Sequence, residues 1–152
     1  MARKAIASLI VAAAATLLFA ADPFAGFWRL DLAKSKLPPP LPRSQTSRIE
    51  VKGDRLHIRE DIENNKGERM TITVEARFDG RDYPVHGTPF ADTIAYERID
   101  PHTLKGTVKK AGRVITNEII VVSPDGTTMT STYSGIDATG KEATATAVFE
   151  KQ

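Results

Sequence analysis

Beyond Phe24, apolar and polar residues alternate with a period of two along almost the whole chain, and short clusters of turn-forming residues break the alternation. The clearest run sets Met70, Ile72, Val74, Ala76 and Phe78 against Arg69, Thr71, Thr73, Glu75 and Arg77. This is the pattern of a β-strand with one buried face. Gly26, Trp28, Leu30 and Leu32 alternate in the same way against Phe27, Arg29 and Asp31. Further strands are predicted through Ile49 and Val51, through Leu56, Ile58 and Ile62, and through Tyr83 and Val85. Others follow through Ile94, Tyr96 and Arg98, then Leu104, Gly106 and Val108, then Met129, Ser131 and Tyr133. Arg113 to Val122 reads as one long strand with Ile115, Asn117, Ile119 and Val121 on a common face. Ala143, Ala145, Ala147 and Phe149 mark the last. Turn chemistry separates these runs at Gly53-Asp54, Asn64 to Gly67, Asp79-Gly80, Asp100-Pro101, Ala111-Gly112, Ser123 to Gly126 and Asp137 to Gly140. Pro84 places its short strand at an edge or a strand end.

The connections are too short for crossovers, so neighbouring strands should pair antiparallel. The predicted fold is all-β: an antiparallel up-and-down barrel of about 8–10 strands, because closure removes free edges. A β-sandwich is the other arrangement the same strands allow. In a barrel, the first strand pairs with the last and Trp28 plugs one end. Leu37 to Pro42 carries four prolines in five positions, which forbids helix and strand and favours a stiff connector crossing one end of the fold.

The segment before the strands changes the picture. Met1 to Lys4 is basic, Ala5 to Phe19 is an apolar run of 15 residues, and Ala20 and Ala21 are small. This predicts a Sec-type signal peptide over 1–21, leaving one domain over 22–152. The run is shorter than the ~20 residues a membrane-spanning helix needs, so stable insertion after cleavage is not expected. A periplasmic or secreted bacterial protein is implied. The chain has no Cys, which excludes a lipidated lipoprotein, disulfides and thiol chemistry. Without Arg3 and Lys4 the 21 basic residues fall to 19, matching the 19 acidic ones. A neutral chain argues against nucleic acid or anionic lipid as a partner.

Catalytic patterns are nearly absent. No Gly-X-Ser-X-Gly elbow or glycine-rich phosphate loop occurs, and His57, His86 and His102 are not at metal-ligand spacings. The expectation is a non-enzyme without cofactor or metal. What remains is an interior pocket. The alternation points Tyr96, Arg98, Asn117, Met129, Ser131 and Tyr133 inward as candidate ligand-binding residues, with the polar ones orienting a largely apolar molecule. Small inward residues such as Gly106 and Ala145 leave volume for it. The other reading sets Arg98 at a strand end, stacked on an aromatic ring, with a packed interior.

Gly26-Phe-Trp28 resembles the Gly-X-Trp signature of the calycins, the lipocalins and fatty-acid-binding proteins. Ala147-Val-Phe-Glu-Lys151 resembles the closing strand of the latter, which reads Arg-X-Tyr-Glu-Lys. Leu32 to Lys36, Phe78 to Val85, Ala91 to Thr93, Arg98 to Asp100 and Val122 to Gly126 resemble a group of exported bacterial proteins with a lipocalin-like domain, and these motifs carry no chemistry of their own. The resemblance implies a lipocalin-like barrel, with Gly26, Trp28 and Phe149 in structural roles. It departs from fatty-acid-binding proteins at Ala33 to Ser44, too short for their pair of lid helices. It departs again at Ala147 and Phe149, which replace their ligand-binding Arg and Tyr. The resulting expectation is an exported monomer that binds a small apolar or amphipathic ligand. The alternative is a filled barrel that binds a protein partner, as an inhibitor or envelope-assembly factor, through Leu37 to Pro42 and His86 to Ala91.

Overall fold

The computed structural model describes residues 20–137 and 139–152. The expected signal peptide therefore lies outside the described residues, apart from Ala20 and Ala21. Ten strands follow: β1 (Gly26–Leu30), β2 (Ser44–Lys52), β3 (Arg55–Glu63), β4 (Arg69–Arg77), β5 (Asp79–His86), β6 (Thr93–Asp100), β7 (Thr103–Lys110), β8 (Arg113–Val122), β9 (Thr128–Ile136) and β10 (Glu142–Lys151). Each pairs antiparallel with its chain neighbour, and β1 closes the ring onto β10. The fold is thus the all-β, closed, up-and-down antiparallel barrel that the alternation predicts, with ten strands, and the sandwich is excluded. Tight turns close the hairpins as expected; Gly53, at φ +62°, adopts the left-handed backbone that the β2–β3 turn requires.

The two ends of the ring differ. At one end lie the β2–β3, β4–β5, β6–β7 and β8–β9 turns and the N-terminal segment, which crosses the opening and drops Phe24 into it. Phe24 and Trp28 are both 0% exposed, and the Trp28 Nε1–H donates to the Phe24 carbonyl at 2.9 Å. Lys151 lies over the indole at 4.8 Å. Gly26 has φ +146°, a backbone conformation that favours glycine, and Lys151 Cε packs over it, 2.8 Å from where a Cβ would stand. Phe149, opposite Leu30, completes the plug. The other end holds the Pro-rich β1–β2 connector and the remaining turns. Lys36 of that connector bridges to Thr146 of β10.

Of the irregularities in the wall, two bear directly on the interior. On β8, Val108 pairs with Thr116 but Lys109 pairs with Val114, leaving Ile115 as an extra residue. This bulge reverses the inside–outside phase of the strand. Glu118, Ile120 and Val122 are consequently buried, while Ile119 and Val121 are 42% and 41% exposed. The expected inward placement of Asn117, Ile119 and Val121 is thereby corrected, whereas Ile115, at the bulge, still lines the interior. The second irregularity is a seam. β4 and β5 pair at only two positions, Thr73 with His86 and Val74 with Val85, whereas β3 and β4 pair at nine. Just beyond the seam, Gly87 passes so close to β4 that a Cβ there would lie 1.9 Å from the Thr71 carbonyl oxygen.

Candidate functional site

The interior is packed at the plugged end and hollow towards the other. A cavity of about 330 Å³ occupies the open half, reaching the rim beside Phe90, which is 72% exposed. Its walls are aliphatic, with Ile72 and Val74 from β4, Val85 from β5 and Val108 from β7. A smaller space of about 40 Å³ lies deeper. Glu60, Tyr96, Glu118 and Tyr133 border both spaces, so they form a polar partition between the plug and the open cavity.

The strand register builds this partition. Tyr96 on β6 pairs with Gly106 on β7, Gly106 with Glu118 on β8, Glu118 with Tyr133 on β9, and Tyr133 with Ala145 on β10. Register partners in a sheet point to the same side, so these residues form one inward layer. The layer sets large side chains beside small ones, Tyr96 and Glu118 flanking Gly106 and Tyr133 beside Ala145. A Cβ on Gly106 would fall 2.5 Å from both Cγ and Oε1 of Glu118, so the glycine makes the room that the carboxyl occupies. Glu60 enters from β3 in the same phase as Leu56 and Ile58. The residue as a whole keeps some exposure, but its carboxyl is enclosed.

The electrostatics of this layer are unusual. Burial alone pushes the Glu60 carboxyl up to about 7. Burial, then repulsion from Glu60, pushes Glu118 up to about 7, and a contact from the Tyr96 hydroxyl acts in the opposite sense. Burial and the two neighbouring carboxyls raise Tyr96 and Tyr133 as well, so both phenols stay protonated and can donate. Among the described residues, no Lys, Arg or His forms an ion pair with either carboxyl. Removing a carboxylate from water without a counter-charge is costly and favours the protonated form. Buried groups with displaced pKa values that converge on a cavity are the usual mark of a functional site.

The sequence-predicted residues divide. Tyr96 and Tyr133 line the open cavity, and Met129 and Ser131 line the deeper space. Asn117 is corrected: after the bulge it points out of the barrel and is exposed. Arg98 is corrected too. It shares the inward face of Ile94 and Tyr96 but lies at the plugged end. There its Nη2 donates to Asp22 at 2.6 Å, its Nη1 to the Pro101 carbonyl at 3.2 Å, and its guanidinium covers Phe78 at 4.2 Å and Phe24 at 5.4 Å. It is held by protein groups and does not line the open cavity. Glu60 and Glu118 were not anticipated. Glu60 sits in the phase of Leu56, Ile58 and Ile62, where a polar residue is out of pattern, and Gly106 between Leu104 and Val108 was the second available sign.

No protein-family model and no curated protein sequence matches the chain. Among solved structures, the chain is similar to apocrustacyanin C2 at 13% identity and a TM-score of 0.49, over 86% of this chain and 62% of that one. It is similar to lobster apocrustacyanin A1 at 13% identity and a TM-score of 0.48, over 86% and 61%. The chain thus spans about three-fifths of the length of these two structures.

Proposed function

We propose that this protein is an exported, lipocalin-like carrier or sensor that takes a small, partly apolar molecule into the open half of its barrel. The observation that carries the reading is the cavity itself: about 330 Å³, walled by aliphatic side chains, with four polar groups converging on its floor. That combination of size, apolar wall and few oriented polar groups is what small-molecule sites share. The alternative of a filled barrel acting only through its loops needs a packed interior, and the open half is not packed. In this reading the carboxyls and phenols orient a ligand, and no reaction is assigned to them. Export rests on the basic start and apolar run of residues 1–19.

Native mass spectrometry of the protein purified from the cell envelope tests both parts. The expected result is a mass lacking the first 20 or 21 residues, with a small-molecule adduct released on denaturation. The apolar fluorophore ANS should bind the emptied protein and be displaced by that adduct. An intact N-terminus would remove the export claim. Absence of both adduct and ANS binding would remove the ligand claim.

A further inference from the structure

We propose that the molecule held in the open half of the barrel carries a protonated amine, its ammonium seated at Glu118 and Glu60 and its apolar body against Ile72, Val85 and Val108. This inference rests on the ligand-binding reading and adds the sign of the ligand's charge.

Glu118 is 7% exposed and borders the cavity, yet no cation of the described residues pairs with it. The contrast with Arg98 is direct, since that part-buried charge has an ion pair at 2.6 Å and two rings around it. A carboxylate acquires its worth in such a place only when a counter-charge arrives, because the pair then compensates the desolvation that burial already imposes. Gly106 gives the second indication. Any side chain on that residue would collide with Glu118, so the wall is recessed to hold the carboxyl where it faces the cavity.

The remaining groups fit a cation and fit nothing negative. The titratable residues bordering the two spaces are Glu60, Glu118, Tyr96 and Tyr133. The bordering residues of β2, β4, β5, β7 and β10 bring none: they carry aliphatic, aromatic, hydroxyl or thioether side chains. An anionic ligand would meet two carboxyls and no base. A cation would meet two carboxylates, with the Tyr96 and Tyr133 phenols beside them. The apolar wall favours an ammonium attached to a hydrocarbon body over a bare metal ion. Consistent with this, the described residues hold no group of three or more His, Cys, Asp or Glu that could ligate a metal. Binding should therefore strengthen as pH rises, because the carboxyls must be ionised to pair with the ammonium.

The test uses three probes of one shape: 2-phenylethylamine, 2-phenylethanol and 3-phenylpropionate, titrated calorimetrically into the emptied mature protein. At about pH 8 the amine should bind on the order of ten-fold tighter than the alcohol, and the carboxylate should not bind. At about pH 5.5 that preference should shrink to roughly three-fold or less as the carboxyls take up protons. Glu118→Gln and Glu60→Gln, each confirmed folded by its thermal melt, should each remove most of the preference for the amine over the alcohol. If the alcohol or the carboxylate equals the amine, or if both variants keep the preference, the amine assignment is overturned while the binding cavity stands. If none of the three binds and ANS does not bind either, the ligand-binding reading falls with it.

Discussion

The two halves of the barrel treat charge in opposite ways. At the plugged end, Arg98 is paired with Asp22 and stacked between Phe24 and Phe78, and the Trp28 indole has its hydrogen bond and its covering Lys151. In the open half, Glu60 and Glu118 face a cavity and one another with phenols as their polar neighbours. The buried charge of the first half has its counter-charge within the protein, and the two carboxyls of the second half have none among the described residues. The first arrangement stabilises the fold. The second weakens it at neutral pH, and a fold retains such an arrangement where the exposed chemistry is used.

The largest effect expected from breaking this contrast is at the plug. Trp28→Ala should lower stability by about 3–5 kcal/mol, read from denaturant unfolding, since it empties a fully buried indole site and strands the Phe24 carbonyl. Variants in the open half should move the other way. The carboxyl of Glu118 is raised from 4.5 to about 7 in the fold, so between those pH values the folded state holds a proton that the unfolded chain releases. Stability from this group is therefore greatest below about pH 4.5 and declines as pH rises through about 7. Glu118→Gln should remove that decline and gain on the order of 2–3 kcal/mol at about pH 8. A variant whose stability falls equally at acid and alkaline pH would show that Glu118 is compensated after all.

Smaller effects sharpen the boundary between the halves. Arg98→Ala should cost about 1–2 kcal/mol through the lost ion pair and ring contacts, yet leave ANS binding in the open cavity unchanged. Weakened ANS binding with the fold intact would restore Arg98 to the site. Asn117→Ala, on the outer surface, should change stability by less than about 0.5 kcal/mol and leave binding untouched.

Much of the ring was legible because burial on one face of a strand leaves a period of two in the sequence, and the β4 run from Met70 to Ala76 shows it cleanly. The charged layer was harder to see, for two physical reasons. On β8 both phases are equally apolar: Ile115, Ile119 and Val121 compete with Val114, Ile120 and Val122, and only the bulge at Ile115 decides between them. A bulge has no composition of its own, so an unbroken period of two puts Asn117 inside. On β3 the apolar residues on either side of Glu60 defined the inward face correctly, but a carboxyl in that phase contradicts the rule that produced it. The ion pair that claims Arg98 depends on Asp22, 76 residues away in sequence, and on the N-terminal segment folding across the barrel. No local pattern encodes that contact.

The β4–β5 seam has a consequence for self-association. A closed ring of strands is protected from adding a foreign strand because no ladder is left unfinished. Here one ladder is unfinished, with two paired positions. The strand that borders it is defended by its composition. Pro84 has no N–H to donate, and Asp79, Arg81 and Asp82 are exposed charges along β5, with Asp82 held by Lys109 at 2.8 Å. An incoming strand would meet a missing donor and a row of hydrated charges. The barrel can therefore tolerate an incomplete seam beside its cavity without that seam becoming the starting point of a cross-β polymer.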